Sequence, residues 1–254
     1  MCGIFGSINK NGNRGNYLMG KYIIIPARLD SQRLTRKLLK TDTGHPLIWH
    51  TIQNAKRSKI ATSVIVATDS KEIMTAIKDE AEVVITGDCA SGTQRVAAAQ
   101  NSLGLLGYIV NVQGDEPEVN MLYVDELFIA LEKGWDVVTI ATKASCEEYD
   151  NPNVVKVVTG TNDQAMYFSR SPIPHGGPQN SLKHIGAYAY RSSFLTKLHT
   201  LTPVNRTASE NLEQLQWLEN GCKIKVLVRD MTTTGIDTQE DYNRFVNEYT
   251  KTKR

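Results

Sequence analysis

Four basic residues lie within ten positions, in a polar loop that directly follows an apolar run. The run is YIIIPAR, residues 22–28, and the basic residues are Arg28, Arg33, Arg36 and Lys37. Arginine forks and backbone amides in such a loop can bind the oxygens of a polyphosphate. A solvated basic loop is the competing interpretation, because basic residues are common in loops. The position of the loop at a strand end keeps both interpretations open.

Two acidic residues far apart in the chain could hold a divalent cation. Asp115, in VNVQGDEP, follows one apolar run, and Asp237, in TTTGIDTQED, lies in a turn after another. Mg²⁺ prefers one or two carboxylates together with waters and substrate phosphates. Each Asp taken alone is as readily a turn or helix-start residue. Together with the basic loop, they indicate a metal-assisted site for phosphoryl-type chemistry.

Polar residues of the second half could contact a substrate. Arg170 and His184 could meet an anion, although composition favours a surface arginine and a histidine at the edge of the core. Glu210 and Gln214 are four positions apart, which predicts that they share one helix face. They could hold sugar hydroxyls or simply be solvated.

Composition excludes several classes of protein. The chain has 254 residues, 41% of them apolar, and a net charge of +2, which disfavours a nucleic-acid partner bound through bulk charge. The four cysteines are widely spaced, which predicts a reduced protein without structural disulfides. No apolar run reaches the length of a membrane span and the N-terminus lacks an apolar signal region, so we expect a cytoplasmic protein.

The elements that must position these residues alternate between strand and helix to about residue 140. Buried rather than alternating strands predict a parallel, doubly wound sheet, with ligands outside the carboxyl ends of its strands. Those ends are PAR (26–28), ATD (67–69) and QGD (113–115).

The second half is less regular, with several strand-like segments. Helical spacing predicts one helix over 208–221 with Ser209 as a possible cap. Ser70 is expected to cap the second helix of the chain and Thr238 the last one.

Nine segments in order carry a resemblance to a known family. They are IIIPARLDSQRLTRKLL, VATDS, SGTQR, VNVQGDEP, NPNVVKVV, YFSRSPIP, KHIGAYAYR, ENLEQLQWLENG and TGIDTQEDY. From about residue 22 to 247 the chain resembles the 3-deoxy-manno-octulosonate (Kdo) cytidylyltransferases, also called CMP-Kdo synthetases. The whole set is highly specific, whereas no single segment would be.

The resemblance implies a reaction and a fold. The anomeric hydroxyl of a 2-keto-3-deoxy sugar acid attacks the α-phosphate of CTP, and pyrophosphate leaves with the help of Mg²⁺. A Kdo product would serve lipopolysaccharide or capsule synthesis. The fold implied is an α/β, mostly parallel Rossmann-like nucleotidyltransferase sheet flanked by helices, with a smaller antiparallel part that forms a homodimer. We expect a tail over residues 1–20, a cytidylyltransferase domain over 21–254, and no nucleic-acid or membrane partner.

The resemblance also assigns roles by position. Arg28 and Lys37 would hold the triphosphate, and Arg33 would lie near the reacting groups, so these three are the candidate catalytic residues. Ser91, Gly92 and Arg95 would lie by the nucleotide, and Asp115 and Asp237 would bind magnesium. The sugar acid would meet a larger set: Gln113, Arg170, His184, Tyr188, Glu210 and Gln214.

Three segments depart from the family pattern. RLTRK replaces RLPGK, so that Thr35 and Arg36 stand for Pro and Gly and predict a less rigid, more positive loop. SGTQR replaces SGTER, so that Gln94 lacks the expected negative charge, and GIDTQED replaces GVDTPED, so that Gln239 stands for Pro beside Asp237. The stretch HGGPQN is also unlike the usual family insert. These departures leave two alternatives open: another sugar acid, such as 8-amino-Kdo, or a non-catalytic nucleotide-binding relative.

The opening MCGIFG resembles the start of class II glutamine amidotransferases, in which an N-terminal cysteine is the nucleophile. Such a domain needs a glutamine-binding shell and an oxyanion hole, and the first predicted strand already begins at residue 22. We therefore interpret this opening as a tail or remnant and expect no ammonia release from glutamine.

Overall fold

The computed structural model describes residues 19–30, 33–231 and 235–252. The chain divides into two compact units, one formed by Met1–Asp125 with Thr233–Arg254 and the other by Glu126–Thr232. Almost all of the expected N-terminal tail, including Cys2, lies outside the described residues.

The first unit contains a parallel sheet. Its strands lie in the order β3-β2-β1-β4, and their bounds are β1 Gly20–Ala27, β2 Ser63–Thr68, β3 Glu82–Ile85 and β4 Gly107–Asn111. All three neighbouring pairs are parallel, and Ile24 of β1 stands opposite Ile65 of β2 and Asn111 of β4. The apolar side chains of β1 are buried, as expected for a strand covered on both faces.

Helices connect these strands, and short polar side chains begin several of them. The helices are α1 Leu47–Ala55, α2 Lys71–Ile77, α3 Gly92–Leu103, α4 Met121–Glu132, which includes the chain boundary between the units, and the last helix of the chain, α9 Gln239–Thr252. The predicted caps are confirmed: Ser70 Oγ accepts the Ile73 N–H at 3.3 Å, and Thr238 Oγ1 accepts the Asp241 N–H at 3.1 Å. Such caps satisfy backbone donors that have no partner in the first helical turn.

The second unit has mixed strand pairing. Its strands are β5 Val137–Lys143, β6 Lys156–Thr159, β7 Ala165–Ser169, β8 Leu182–Arg191 and β9 Ile224–Val228. β5 pairs antiparallel with β8 and parallel with β9, and β6 pairs antiparallel with β7 and with β8. Its helices are α5 Cys146–Asp150, α6 Ser192–Lys197, α7 Asn205–Glu210 and α8 Glu213–Glu219. The predicted α/β fold with an antiparallel part is confirmed.

The single helix predicted over 208–221 is wrong. The structure has two helices there, because Asn211 adopts a left-handed conformation with φ 52° and Leu212 is extended. Asparagine tolerates this conformation better than most residues, and the break lets Leu212 become buried. Ser209 lies inside α7 and does not cap a helix. Glu210 and Gln214 therefore lie on different helices and do not share a helix face.

No helix in the described part of the chain has the length and apolar character needed to cross a bilayer. The described cysteines, Cys89, Cys146 and Cys222, are free thiols.

Candidate active site

A cavity of about 390 Å³ lies in the first unit, at the carboxyl ends of its strands. The loop after β1, the start of α3, the segment after β4 and the turn before α9 form its wall. All the predicted site residues of this unit line it: Arg28, Arg33, Lys37, Ser91, Gly92, Arg95, Gln113, Asp115 and Asp237. Of the three strand ends that the rule for parallel sheets singled out, PAR (26–28) and QGD (113–115) line this cavity and ATD (67–69) does not.

Lys37 joins the two predicted metal ligands. Its Nζ lies 2.5 Å from Asp115 Oδ2 and 3.1 Å from Asp237 Oδ1, and it donates to the Ile236 carbonyl at 2.9 Å. Arg33 Nη2 lies 2.9 Å from the same Asp237 oxygen. Two carboxylates from distant parts of the chain thus share the ammonium group of Lys37, whose side chain is only 12% exposed.

The two carboxylates fit a divalent cation. Oxygens of Asp115 and Asp237 converge on one positive charge, and two carboxylates are the donor set that Mg²⁺ uses when waters and substrate phosphates supply the other ligands. The described residues contain no group of three or more His, Cys, Asp or Glu side chains that could hold a metal. A metal bound here would have to compete with the Lys37 ammonium for the same oxygens.

Glu116, which the sequence reasoning missed, adds a third acid beside this pair. Desolvation, and then the negative charges of Asp115 and Asp237, raise the pKa of its carboxyl to about 7, while Lys37 acts in the opposite sense. The position of Glu116, directly after Asp115 in VNVQGDEP, was the signal available in the sequence.

Close backbone packing fixes the segment that carries Gln113 and Asp115. A Cβ at Gly114 would lie 3.1 Å from the Pro26 carbonyl oxygen, which is tighter than ordinary contact. Thr51 Oγ1 of α1 donates to the Gly114 carbonyl at 2.8 Å. A glycine at this position therefore lets the segment lie directly against the end of β1.

The nucleotide candidates lie at the start of α3. Ser91 caps the helix, with its Oγ accepting the Gln94 N–H at 3.2 Å, and Gly92 is the first helical residue. Arg95 is buried, and its guanidinium donates to Thr86 Oγ1 at 2.6 Å and to Asp69 Oδ2 at 2.5 Å.

In the second unit the predicted sugar-binding residues form two contacting groups. Glu210 accepts the backbone N–H of Arg170 at 2.8 Å and the Ser169 hydroxyl at 2.6 Å, and Arg170 Nε donates to the Glu210 carbonyl at 2.8 Å. Gln214 Nε2 donates to the Tyr188 hydroxyl, whose ring lies 5.3 Å from that of His184.

His184 and Gln214 are polar groups in a desolvated setting. Desolvation lowers the pKa of His184 to about 3, so that the ring is neutral at physiological pH and cannot attract an anion by charge. His184 Nε2 lies 2.9 Å from Thr139 Oγ1. The Gln214 Oε1 atom is buried and has no hydrogen-bond partner among the described residues, so it can accept a hydrogen bond from a ligand.

Comparison with known proteins identifies the family. The model of a family described as cytidylyltransferase matches residues 22–224. The chain belongs to the cytidylyltransferase family. It is a nucleotidyltransferase, and the enzyme class expected from the sequence is confirmed.

Two curated relatives of this cytidylyltransferase carry the same name. The 3-deoxy-manno-octulosonate cytidylyltransferase of Anaeromyxobacter sp. (strain Fw109-5) is 40% identical over 228 residues, covering 87% of this chain and 93% of the relative. The enzyme of that name from Chlorobaculum tepidum is 40% identical over 236 residues, covering 88% and 94%.

Solved structures agree with this assignment. A CMP:2-keto-3-deoxy-manno-octonic acid synthetase in complex with CTP is 32% identical and superposes with a TM-score of 0.85, covering 91% of this chain and 99% of that one. A glucose-1-phosphate thymidylyltransferase of Bacillus anthracis, at 17% identity and a TM-score of 0.63 over 90% of this chain and 95% of its own, shares the fold.

The three departures of this cytidylyltransferase have local structural consequences. Arg36, which stands for Gly, adopts a left-handed conformation with φ 54° and pairs with Glu72 of α2. Gln94 Oε1 accepts the Ala90 N–H at 3.1 Å, a helix-start contact that an amide makes as well as a carboxylate. Gln239 is the first residue of α9, where proline is favoured.

Proposed function

We propose that this cytidylyltransferase transfers CMP from CTP to the anomeric hydroxyl of Kdo and releases pyrophosphate. The convergence of Lys37 and Arg33 on Asp115 and Asp237 in one cavity carries the proposal, because it combines cations for phosphates with acids for a metal. The names of the relatives, and the CTP complex of the superposed synthetase, support the choice of nucleotide and sugar acid.

The residues of the first unit would bind and orient the triphosphate. The anomeric oxygen attacks the α-phosphorus, and the bond between this phosphorus and the oxygen bridging to the β-phosphate breaks. Arg28 and Lys37 would hold the phosphate oxygens, and Arg33 would lie near the reacting groups. Asp115 and Asp237 would hold Mg²⁺, which neutralises negative charge on the phosphates when it is bound.

Nucleotide binding requires Lys37 to change partners. Its ammonium contacts both carboxylates, and the same side chain is our candidate for the phosphates. Exchange of carboxylate oxygens for phosphate oxygens would free the acids and keep the ammonium paired. Charge-assisted hydrogen bonds of this kind are among the stronger polar contacts in proteins.

The remaining candidates would hold the two ends of the substrates. Ser91, Gly92 and Arg95 would contact the nucleotide, and Gln113 the sugar. In the second unit, Arg170 supplies positive charge for the sugar carboxylate. Hydrogen bonds to sugar hydroxyls would come from four other side chains of this unit: His184, Tyr188, Glu210 and Gln214.

The cellular setting is a further part of the proposal. We propose a homodimeric, cytoplasmic enzyme that depends on Mg²⁺ and supplies activated Kdo for lipopolysaccharide or capsule synthesis. We also propose that the catalytic domain begins at residue 21 and that residues 1–20 are a tail without a catalytic role.

Pyrophosphate release from CTP and Mg²⁺ tests the proposal, with Kdo and 8-amino-Kdo supplied separately. Release with Kdo is the expected result, and Asp115→Asn should reduce kcat at least about a hundredfold. The matched control is Asp125→Asn, which changes a carboxylate outside the cavity wall of the first unit. Release with 8-amino-Kdo alone would change the substrate assignment, and silence with both sugars despite CTP binding would favour a non-catalytic relative or another sugar acid.

A further inference from the structure

Arg95 donates hydrogen bonds to two residues that have no role in the proposed function, Asp69 and Thr86. Its side chain is 4% exposed, and its two terminal nitrogens donate separately to Asp69 Oδ2 at 2.5 Å and to Thr86 Oγ1 at 2.6 Å. Among the described residues the cavity wall includes Arg95 but neither Asp69 nor Thr86. A guanidinium has five N–H donors, more than these two acceptors use.

These two residues lie on the opposite side of β1 from the metal candidates. Asp69 directly follows β2 and Thr86 directly follows β3, whereas Asp115 follows β4. In the strand order β3-β2-β1-β4, three strand spacings separate β3 from β4, or about 14 Å. A nucleotide whose phosphates lie near Lys37 and Asp115 would extend its nucleoside across β1 toward Arg95.

We propose that Asp69 is a positioning residue that holds Arg95 toward the nucleoside part of CTP. This inference rests on the proposed function only in taking CTP as the nucleotide. The Asp69 carboxylate acts through Arg95: it orients the guanidinium and pairs with its positive charge. Thr86 supports the same orientation from the neighbouring strand.

The charge of Asp69 matters as well as its shape. A guanidinium taken out of water needs a paired opposite charge, and removing one partner of such a pair leaves the other uncompensated. Asp69→Asn keeps the size of the side chain and an acceptor oxygen but removes the charge. Arg95 would then be drawn toward other acids of the cavity, away from the nucleoside.

Binding measured without any sugar acid tests the inference. The dissociation constants of CTP and of inorganic tripolyphosphate would be determined by calorimetry with Mg²⁺ for the native chain and for Asp69→Asn. CTP binding should weaken at least about tenfold, as expected for loss of a charge-assisted contact, while tripolyphosphate binding should change less than about twofold. A merely structural defect would weaken both ligands together.

Three further variants make the result decisive. Asp125→Asn is the control, because Asp125 is a carboxylate of the first unit outside the cavity wall that accepts hydrogen bonds from Ser58 Oγ and the Lys59 N–H; it should lower the melting temperature and leave both dissociation constants unchanged. Thr86→Val removes the second acceptor and should weaken CTP binding selectively even if Asp69→Asn fails to fold. In an Arg95→Met chain, Asp69→Asn should have no further effect on CTP binding.

Two results would overturn the inference: unchanged CTP binding in Asp69→Asn and Thr86→Val, or equal weakening of CTP and tripolyphosphate. The inference would also be contradicted if Asp69→Asn weakened CTP binding as much in the Arg95→Met chain as in the native chain. Failure of the proposed function would be seen in the pyrophosphate-release assay instead: the native chain would bind CTP but release no pyrophosphate.

Discussion

Lys37 contacts both of the acids proposed to bind the metal, and it is also the lysine proposed to bind the phosphates. The sequence predicted a phosphate-binding lysine and a pair of metal-binding acids as separate features. In the structure the lysine ammonium lies between the acids, within 3.1 Å of an oxygen of each. A cation that neutralises both carboxylates would lower their affinity for a metal until a bound phosphate drew the cation away.

Replacing Lys37 should therefore increase metal binding by the chain without nucleotide. We expect Lys37→Met to bind Mn²⁺ about tenfold more tightly than the native chain in titrations followed by electron paramagnetic resonance. The same variant should bind CTP more weakly, because it loses a contact to the phosphates.

Arg36→Met is the control for this change, since it removes a positive charge from the same loop but from a residue that pairs with Glu72. Its affinity for Mn²⁺ should stay close to that of the native chain. If Lys37→Met binds Mn²⁺ no better than Arg36→Met, Lys37 does not compete with the metal.

His184 should make the stability of the protein sensitive to acid. Its pKa is lowered from 6.5 to about 3 by desolvation, so the unfolded chain binds a proton that the folded chain refuses between these values. The free energy of unfolding is then fully retained above pH 6.5 and is lost as the pH falls toward 3. Denaturant titrations between pH 7 and pH 4 should show a shallower loss for His184→Gln than for the native chain.

His199→Gln, which changes an exposed histidine, is the matched variant and should follow the native dependence on pH. Parallel curves for His184→Gln and the native chain would show that His184 takes up its proton at the same pH in the folded and the unfolded chain.

At the scale of elements, the loop after β1 shows how a departure from a family pattern is accommodated. Arg36 has φ 54°, a conformation that glycine adopts freely and that costs other residues roughly 1 kcal/mol. The ion pair with Glu72 involves two half-exposed side chains, and such pairs contribute at most about 1 kcal/mol. The charged residue thus occupies a backbone conformation that favours glycine, and its ion pair can offset part of the cost.

Two substitutions at Arg36 separate these effects. Arg36→Gly and Arg36→Ala both remove the ion pair with Glu72, but only alanine retains the steric cost of the left-handed conformation. We expect Arg36→Gly to be the more stable by about 1 kcal/mol in urea unfolding. Equal stabilities would mean that the loop changes conformation in the alanine variant.

The elements themselves were largely predictable, because their signals are local. Buried apolar runs predicted β1 and β2, and the serine before α2 predicted its first residue. The break at Asn211 was not predictable in the same way. Leu212, Leu215 and Leu218 all follow Asn211, so their helical spacing says nothing about whether the helix continues back through that residue. In the structure the left-handed Asn211 is followed by a buried Leu212.

At the scale of the whole molecule, the family match covers residues 22–224 and does not include MCGIFG. Among the described residues, those that line the cavity of the first unit all lie beyond position 25. We therefore expect Cys2→Ser to leave kcat and KM for pyrophosphate release unchanged and the native chain to release no ammonia from glutamine. A loss of nucleotide transfer in Cys2→Ser would assign the tail a part in the reaction.

The sequence by itself determined the alternation of strands and helices, the strand ends that carry polar residues, and the family, because each depends on periodicity or on a contiguous motif. Only the tertiary structure decided which of these residues meet. Lys37 contacts Asp237, 200 positions away, and Arg95 contacts Asp69 and Thr86 from separate strands. Such contacts depend on strand order and on the path of the connecting loops. No local sequence pattern encodes the strand order or the paths of the loops, because both are defined only once the sheet has formed.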